Sequence, residues 1–295
     1  MNKNKNLKPK VLYKYTTFET GLKILETQTI RFSNPKTFND PYDCNIPIKL
    51  KDSVDLDSDF FITLNNQIRE YINSDTLIKD KLDKELEILK NSKEKLKINA
   101  DIFLNKILAP LKEDMRVLSL SNTKSNLLMW GHYAKNHTGI AIGFDTNYKF
   151  FRNIIKIKYK KEQPRLGKSL INDLTLKNLK ALEELRLFFH TKSFDWRYEQ
   201  EYRCEMGINH LYNEFLSTPS FIKMFPAFFK EIENKNNFVH PYITPECVRA
   251  IYLGSRIDIS NEEKIINIVQ NKYTRAKIYK AFLSDTEFKI KFKQI

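Results

Sequence analysis

The sequence predicts an α+β fold: a single mixed domain over residues 1–295 with a twisted, largely antiparallel sheet, flanking helices and an inserted helical arm. Three observations predict it. Short runs of β-branched and aromatic residues alternate with amphipathic helical runs along most of the 295 residues. Gly139-Ile-Ala-Ile-Gly-Phe144 is almost wholly apolar, the pattern of a central strand covered on both faces. Residues 51–115 break the alternation, with Pro110 as their one proline and leucines and isoleucines at helical spacing.

Residues 11–16 read as the first strand. Thr16 or Thr17 then caps a helix whose Phe18, Leu22, Ile24 and Leu25 form one apolar stripe. Residues 29–33 follow as a second strand. The next stretch, 34–44, carries Pro35, Pro41, Asn34, Asn39, Asp40 and Asp43, the composition of an ordered, turn-rich loop. The 51–115 arm reads as three helices with solvated Lys/Glu/Asp faces, suited to packing, dimerisation or a lid. Residues 116–121 resume the strand pattern. Ser125 or Asn126 caps a helix over 127–136, with Trp130, Tyr133 and His137 on one face and Gly139 as its stop. Gly143 in the following strand leaves room for a close approach to the backbone.

Residues 154–160 alternate, placing Lys156, Lys158 and Lys160 on one face of an edge strand. An amphipathic helix over 171–191 leads into a strand over 193–204. A Phe-rich helical excursion follows at 208–240, then a strand ending at Gly254. Ser260 and Glu263 make a capping box for a further helix. Strands at 277–282 and 287–292 close the order.

Composition narrows the function classes. Apolar residues make up 41% and charged residues 29%, which excludes global disorder. The chain has 7 glycines and neither a G-x-G-x-x-G nor a P-loop, so a glycine-rich phosphate loop is not expected. Three distant cysteines, Cys44, Cys204 and Cys247, form no zinc spacing and suit a reducing cytoplasm. The N-terminal residues lack an apolar signal core, and no run approaches the ~20 residues of a membrane span. The formal net charge is +14, and residues 116–170 concentrate it, with 11 basic and 2 acidic residues for a net of +9. That field suits NAD or another phosphate-bearing ligand, or a nucleic acid.

Chemistry concentrates in Ser193-Phe-Asp-Trp-Arg-Tyr-Glu-Gln-Glu-Tyr-Arg-Cys204. In a strand, Glu199, Glu201 and Arg203 share one face and Tyr198, Gln200 and Tyr202 the other. A buried carboxylate pair marks a site, and an exposed one marks ion pairing with Arg197, Arg203 or Arg116. The histidines make no H-E-x-x-H, and His132 and His137 stand about 500° apart on a helix, so a histidine metal site is not expected. No serine lies in G-x-S-x-G. Asp40, Asp43, Glu199 and Glu201 could together form the magnesium site of a nuclease. A binding module using the 116–170 basic surface is the non-enzyme alternative.

Two resemblances extend this reading. The ordered set Leu12-Tyr-Lys-Tyr, Phe32-Ser-Asn-Pro-Lys-Thr-Phe-Asn-Asp-Pro41, Leu118-Ser-Leu-Ser, Met129-Trp-Gly-His-Tyr-Ala134, Gly139–Phe144 and Trp196-Arg-Tyr-Glu-Gln-Glu-Tyr-Arg203 resembles a prokaryotic domain-of-unknown-function family. More distantly, Tyr13-Lys-Tyr-Thr16, Phe32-Ser33 and Glu199-Gln-Glu201 stand in the order of the mono-ADP-ribosyltransferase motifs. That likeness implies an NAD-using enzyme. Glu201 would hold the 2′-hydroxyl of the nicotinamide ribose, and Glu199 would orient or deprotonate the acceptor. Ser33 would support the site, Tyr133 or Trp130 would stack on nicotinamide, and Lys14 would stand where the family carries His or Arg. His132 completes the catalytic candidates, and Asn39 and Asp40 are the loop's candidates for the ligand. By association, such proteins serve in bacterial stress or phage-defence systems.

Overall fold

The structure is a computed structural model that describes residues 8–47, 49, 105, 109, 112–151, 154–167, 184, 186–207, 230–232 and 234–295. The expected 51–115 arm, the 171–191 helix and the 208–240 excursion fall largely outside these residues. The chain divides into two units: 1–37, 114–157 and 194–295 form the first, and 38–113 and 158–193 the second.

The first unit grows from the strand expected at its start. Strand β1 (Val11–Thr16) leads to helix α1 (Phe18–Thr27), where the Thr17 hydroxyl caps the Thr20 N–H. Strand β2 is only Phe32–Ser33, shorter than expected. Ile30 N–H instead bonds Pro241 O, and Thr29 bridges Tyr242. Next come β3 (Met115–Ser121), α2 (Leu127–Tyr133), β4 (Ile140–Asp145) and β5 (Ile155–Lys156). After a 3-10 turn (Phe194–Glu199) follow β8 (Glu201–Gly207), β9 (Phe238–Val239) and β10 (Val248–Leu253). Helix α3 (Ile259–Lys272), β11 (Lys277–Leu283) and β12 (Ile290–Gln294) complete the unit. Strands β6 (Lys158–Lys160) and β7 (Thr191–Ser193) belong to the second unit.

The sheet order is β12-β11-β10-β4-β1-β3-β2-β9, with β8 on the other side of β3 and β5 beyond it. All its neighbours run antiparallel except β10 and β11, which α3 joins as a parallel crossover. The fold is therefore α+β, as expected. Helices α1 and α3 cover one face: Phe18, Ile24 and Leu25 meet Ile265, Val269 and Tyr273 over Leu12, Leu118, Leu120, Ile142 and Phe144. Helix α2 covers the other, where Met129, Trp130 and Ala134 pack on Tyr15, Ala141, Ala250 and Tyr252. Strand β4 is buried along almost its whole length, as an all-apolar central strand requires.

Three local expectations are corrected. Helix α2 ends at Tyr133, where Lys135, Asn136 and His137 take successive positive φ angles, so Gly139 is not its stop. Gly139 is small because a Cβ there would lie 2.2 Å from Thr16 O. Asp258, not Ser260, caps α3 by accepting from Asn261 N–H at 2.9 Å. The alternating 154–160 run is two strands, broken where Ile157 N–H turns to Glu201 O.

In the second unit, β6 and β7 pair in parallel. The Asp40–Asn45 turns sit in the same unit, where buried Lys192 pairs with buried Asp43 at 3.2 Å. The Cys44 thiol donates to Phe189 O at 3.4 Å.

Candidate functional site

The two glutamates do not lie in one strand. Glu199 ends the 3-10 turn, Gln200 sits at φ 46°, and Glu201 begins β8. This left-handed step replaces the continuous strand expected over 193–204. Its backbone is held by the end of β3: Asn122 N–H donates to Gln200 O at 3.0 Å, and the Ser121 hydroxyl donates to Glu199 O at 2.6 Å. Ser121 Oγ also accepts from Thr123 N–H at 3.1 Å. A non-glycine residue persists at positive φ only where its surroundings fix it, and these bonds fix it.

Both carboxylates are buried, Glu199 with 4% and Glu201 with 3% of its surface exposed. Arg203, fully buried and two residues further along the same face, grips Glu201 with both arms of its fork. Nε lies 2.7 Å from Oε1, and Nη2 lies 3.2 Å from Oε2. This bidentate, charge-assisted pairing sets the plane of the carboxylate. The Tyr133 hydroxyl of α2 donates to Glu199 Oε1. The motif helix and the motif strand thus meet at a carboxylate.

Register places the remaining candidates. Ser121 stands opposite Glu201 and Ser119 opposite Arg203, on the α2 face of the sheet. Along its other edge β3 pairs with β1 at Tyr13↔Ser121 and with β2 at Ser33↔Val117. The two strands part between those points, beside Ser119. Lys14, half-buried, starts on the α1 face opposite Ile142 and reaches this gap, where Nζ donates to Ser119 O at 3.2 Å. Burial, then the nearby Arg31, pushes its ammonium down to about 8, while Glu201 and Glu199 act in the opposite sense. Ser33 shares the face of Glu201 but lies two strands across and four residues along, a separation of roughly 15 Å.

Of the two aromatics considered for stacking, Tyr133 bonds Glu199 and Trp130 lies in the core. It is fully buried, with Tyr15 edge-on at 5.2 Å, His137 stacked at 6.4 Å and its Nε1–H on Lys124 O at 2.8 Å. His132 is exposed, and its ring lies 6.1 Å from that of Tyr198. Asn39 and Asp40 belong to the second unit. Asn39 is exposed there, and buried Asp40 accepts from Tyr42 N–H at 2.9 Å in its own turn. Among the described residues no group of three or more His, Cys, Asp or Glu side chains is placed to hold a metal ion. Of the four carboxylates considered for magnesium, Asp40 and Asp43 belong to the second unit and Glu199 and Glu201 to the first. Burial pushes the Cys204 and Cys247 thiols up to about 12, which leaves both unreactive near neutral pH.

Residues 129–204 match a family described as "Protein of unknown function (DUF2971)". The match begins in α2 and ends in β8, so it contains Tyr133, Glu199, Glu201 and Arg203. It supports the likeness to a family of unknown function over about a quarter of the chain. No curated protein and no solved structure matches. Among the described residues no helix is long and apolar enough to cross a membrane.

Sequence reasoning missed Ser121, Arg31 and the left-handed Gln200. A Gln between two Glu carries no turn signal of its own, and Ser121 becomes a partner only through the β3–β8 register. Arg203 was legible as a neighbour on the same face, two residues from Glu201.

Proposed function

We propose that this protein transfers ADP-ribose from NAD, with Glu201 and Glu199 as the catalytic pair. The observation that carries the reading is the turn 199–201. It fixes two buried carboxylates on either side of one residue, beside the gap where β1 and β2 part and Lys14 enters. NAD supplies an activated glycosidic bond: the bond from the ribose anomeric carbon to the pyridinium nitrogen breaks, and its electron pair leaves with neutral nicotinamide.

The side chains suit that chemistry. An anion held rigid in a low-dielectric surround acts strongly on positive charge developing at a sugar carbon, and Glu201 is fixed for this by Arg203. Glu199, oriented by Tyr133, takes the proton that an acceptor oxygen or nitrogen loses as it bonds to the anomeric carbon. Lys14 brings positive charge to the gap, as a diphosphate needs, and Arg31 is near enough to act on it.

The test is nicotinamide release from NAD by the full chain. We expect release that falls by about 100-fold or more in Glu201→Gln, which keeps shape and removes charge. Absence of both nicotinamide release and any NAD-dependent rise in Tm at millimolar NAD would sink the reading.

A further inference from the structure

The loop 122–126 between β3 and α2 reads Asn-Thr-Lys-Ser-Asn and has no apolar side chain to bury. The carboxylate turn nevertheless rests on it. Asn122 N–H holds Gln200 O at 3.0 Å, and Ser121 just before it holds Glu199 O at 2.6 Å. At the other end Asn126 caps α2, the helix that brings Tyr133 to Glu199. Lys124, half-buried, stands midway between those ends. Its ammonium lies 4.9 Å from the ring centre of Tyr252, 5.5 Å from that of Phe292 and 5.8 Å from that of Tyr279. Each ring comes from a different strand, β10, β12 and β11 in turn. Tyr252 and Tyr279 stack at 5.0 Å with planes 9° apart, and Phe292 meets Tyr252 edge-on at 5.1 Å. Lys124 Nζ also donates to the Tyr252 hydroxyl at 3.4 Å. Among the described residues Lys124 has no carboxylate partner, so ring faces and one phenol oxygen meet its ammonium. Its backbone is tied to the same cluster: Trp130, 6.3 Å from Phe292, donates through Nε1 to Lys124 O at 2.8 Å.

We infer that the rings of Tyr252, Tyr279 and Phe292 form a site for an organic ammonium ion, filled by the chain's own Lys124, and that filling it positions Glu199 and Glu201. The face of an aromatic ring carries negative potential and attracts a cation, more strongly as water is removed. Three rings around one half-buried ammonium supply both conditions. The rings are fixed by strand pairing, Tyr252 beside Tyr279 and Phe292 opposite Ala281. A loop of short polar residues has no such support of its own, so the ammonium fastens it to the sheet. The bonds from Asn122 and Ser121 pass that position on to the turn, where Gln200 at φ 46° persists only while its surroundings hold it. Lys124 is thus a positioning residue, acting on the carboxylates through Ser121 and Asn122. Packing by its methylene stem alone would need no charge, and that difference is measurable. The cation site and the fastening of the loop stand on geometry; only the effect on catalysis rests on the transfer reading.

The experiment follows amide exchange residue by residue in the full chain, with Asn122 as reporter because its N–H holds the turn. Lys124→Ala removes the atoms of a propylammonium ion, and Lys124→Arg keeps a cation that suits the same ring faces. Relative to the β4 amides, we expect Asn122 to exchange about tenfold faster in Lys124→Ala and to stay within about threefold of the wild type in Lys124→Arg. Propylammonium chloride should restore most of the protection in Lys124→Ala, while sodium chloride or propanol at the same concentration should not. A general loss of stability would instead quicken Asn122 and β4 in step. The inference is overturned if Asn122 keeps its wild-type rate in Lys124→Ala, if it quickens only in step with β4, if Lys124→Arg behaves as the alanine variant does, or if sodium chloride or propanol restores as much as propylammonium. Nicotinamide release is measured in parallel, where Lys124→Ala should lower kcat about tenfold and propylammonium should raise it again. Unchanged release in a variant whose Asn122 has quickened overturns the positioning of the carboxylates. No release from the wild type, with exchange as expected, leaves the cation site standing and removes the transfer reading.

Discussion

Arg203 and Lys14 define the residue scale, because each is a cation whose burial must be offset. Arg203 is fully buried, and its fork meets Glu201. Arg203→Ala leaves the Glu201 carboxylate buried without that partner, and such a loss costs about 3–5 kcal/mol. Urea unfolding should therefore show Arg203→Ala well below the wild type, and Glu201→Gln paired with Arg203→Met should recover most of the difference. Equal midpoints for Arg203→Ala and the wild type would remove the ion pair from the account. Lys14 acts with the opposite sign. Burial and Arg31 lower its folded pKa to about 8, below the usual lysine value of 10.5, so the fold disfavours its charge. Below pH 8 the lysine is charged in both states and the whole penalty is present. From about 8 to 10.5 the unfolded chain binds the proton more tightly, and stability rises with pH. Lys14→Met lacks this dependence, so its advantage over the wild type should shrink as pH rises from 7 to 10. A difference that stays constant over that range contradicts the shifted lysine.

Backbone geometry governs the element scale. Strand β1, the Thr17 and Asn126 caps and strand β4 were legible because their signals are local: alternation, a short polar side chain before an apolar run, and an unbroken apolar run. The turn at Gln200 was not, since its support comes from Ser121 and Asn122, nearly eighty residues earlier in the chain. The shortening of β2 likewise depends on Pro241 and Tyr242. Ser260 and Asp258 are both good capping types, and only the point where α3 starts decides between them. The Gln200 step carries a direct consequence. At φ 46° a β-branched side chain is strained and glycine is not. Gln200→Val should cost about 1–2 kcal/mol while Gln200→Gly stays near the wild type. Both belong in one thermal-melt series, and a valine variant as stable as the glycine one would show that the turn is not held. Gly139→Ala belongs there too. Its Cβ would meet Thr16 O at 2.2 Å, and overpacking of that kind costs roughly 1–3 kcal/mol.

At the scale of the molecule, the order of the sheet decides which parts open last. Strand β4 lies between β1 and β10, pairing with each over several residues, and its side chains enter both cores. Opening β4 therefore breaks two ladders and uncovers both faces. Among the described residues strand β12 has a partner on one side only, and Lys291 and Lys293 are exposed, which also discourages pairing with another chain. Strand β3 is intermediate, held fully by β8 but by β1 and β2 only at separate points, with the Lys14 gap between. Amide exchange should follow that order. The β4 amides exchange only by opening of the whole unit, β12 exchanges by local fraying at least about 100-fold faster, and β3 lies between. Ser119 carries a sharper form of the prediction, because its carbonyl is bonded by a side chain rather than by a neighbouring strand. Lys14→Met removes that bond, and exchange along β3 should then quicken relative to β4, whose amides follow the stability of the whole unit. If β4 and β3 shift together, β1 and β3 open as one element and the parting of the strands at Ser119 is no boundary. If β3 quickens relative to β4, the gap beside Glu199 and Glu201 is a place where the sheet yields without unfolding, as a site that admits a ligand between strands requires.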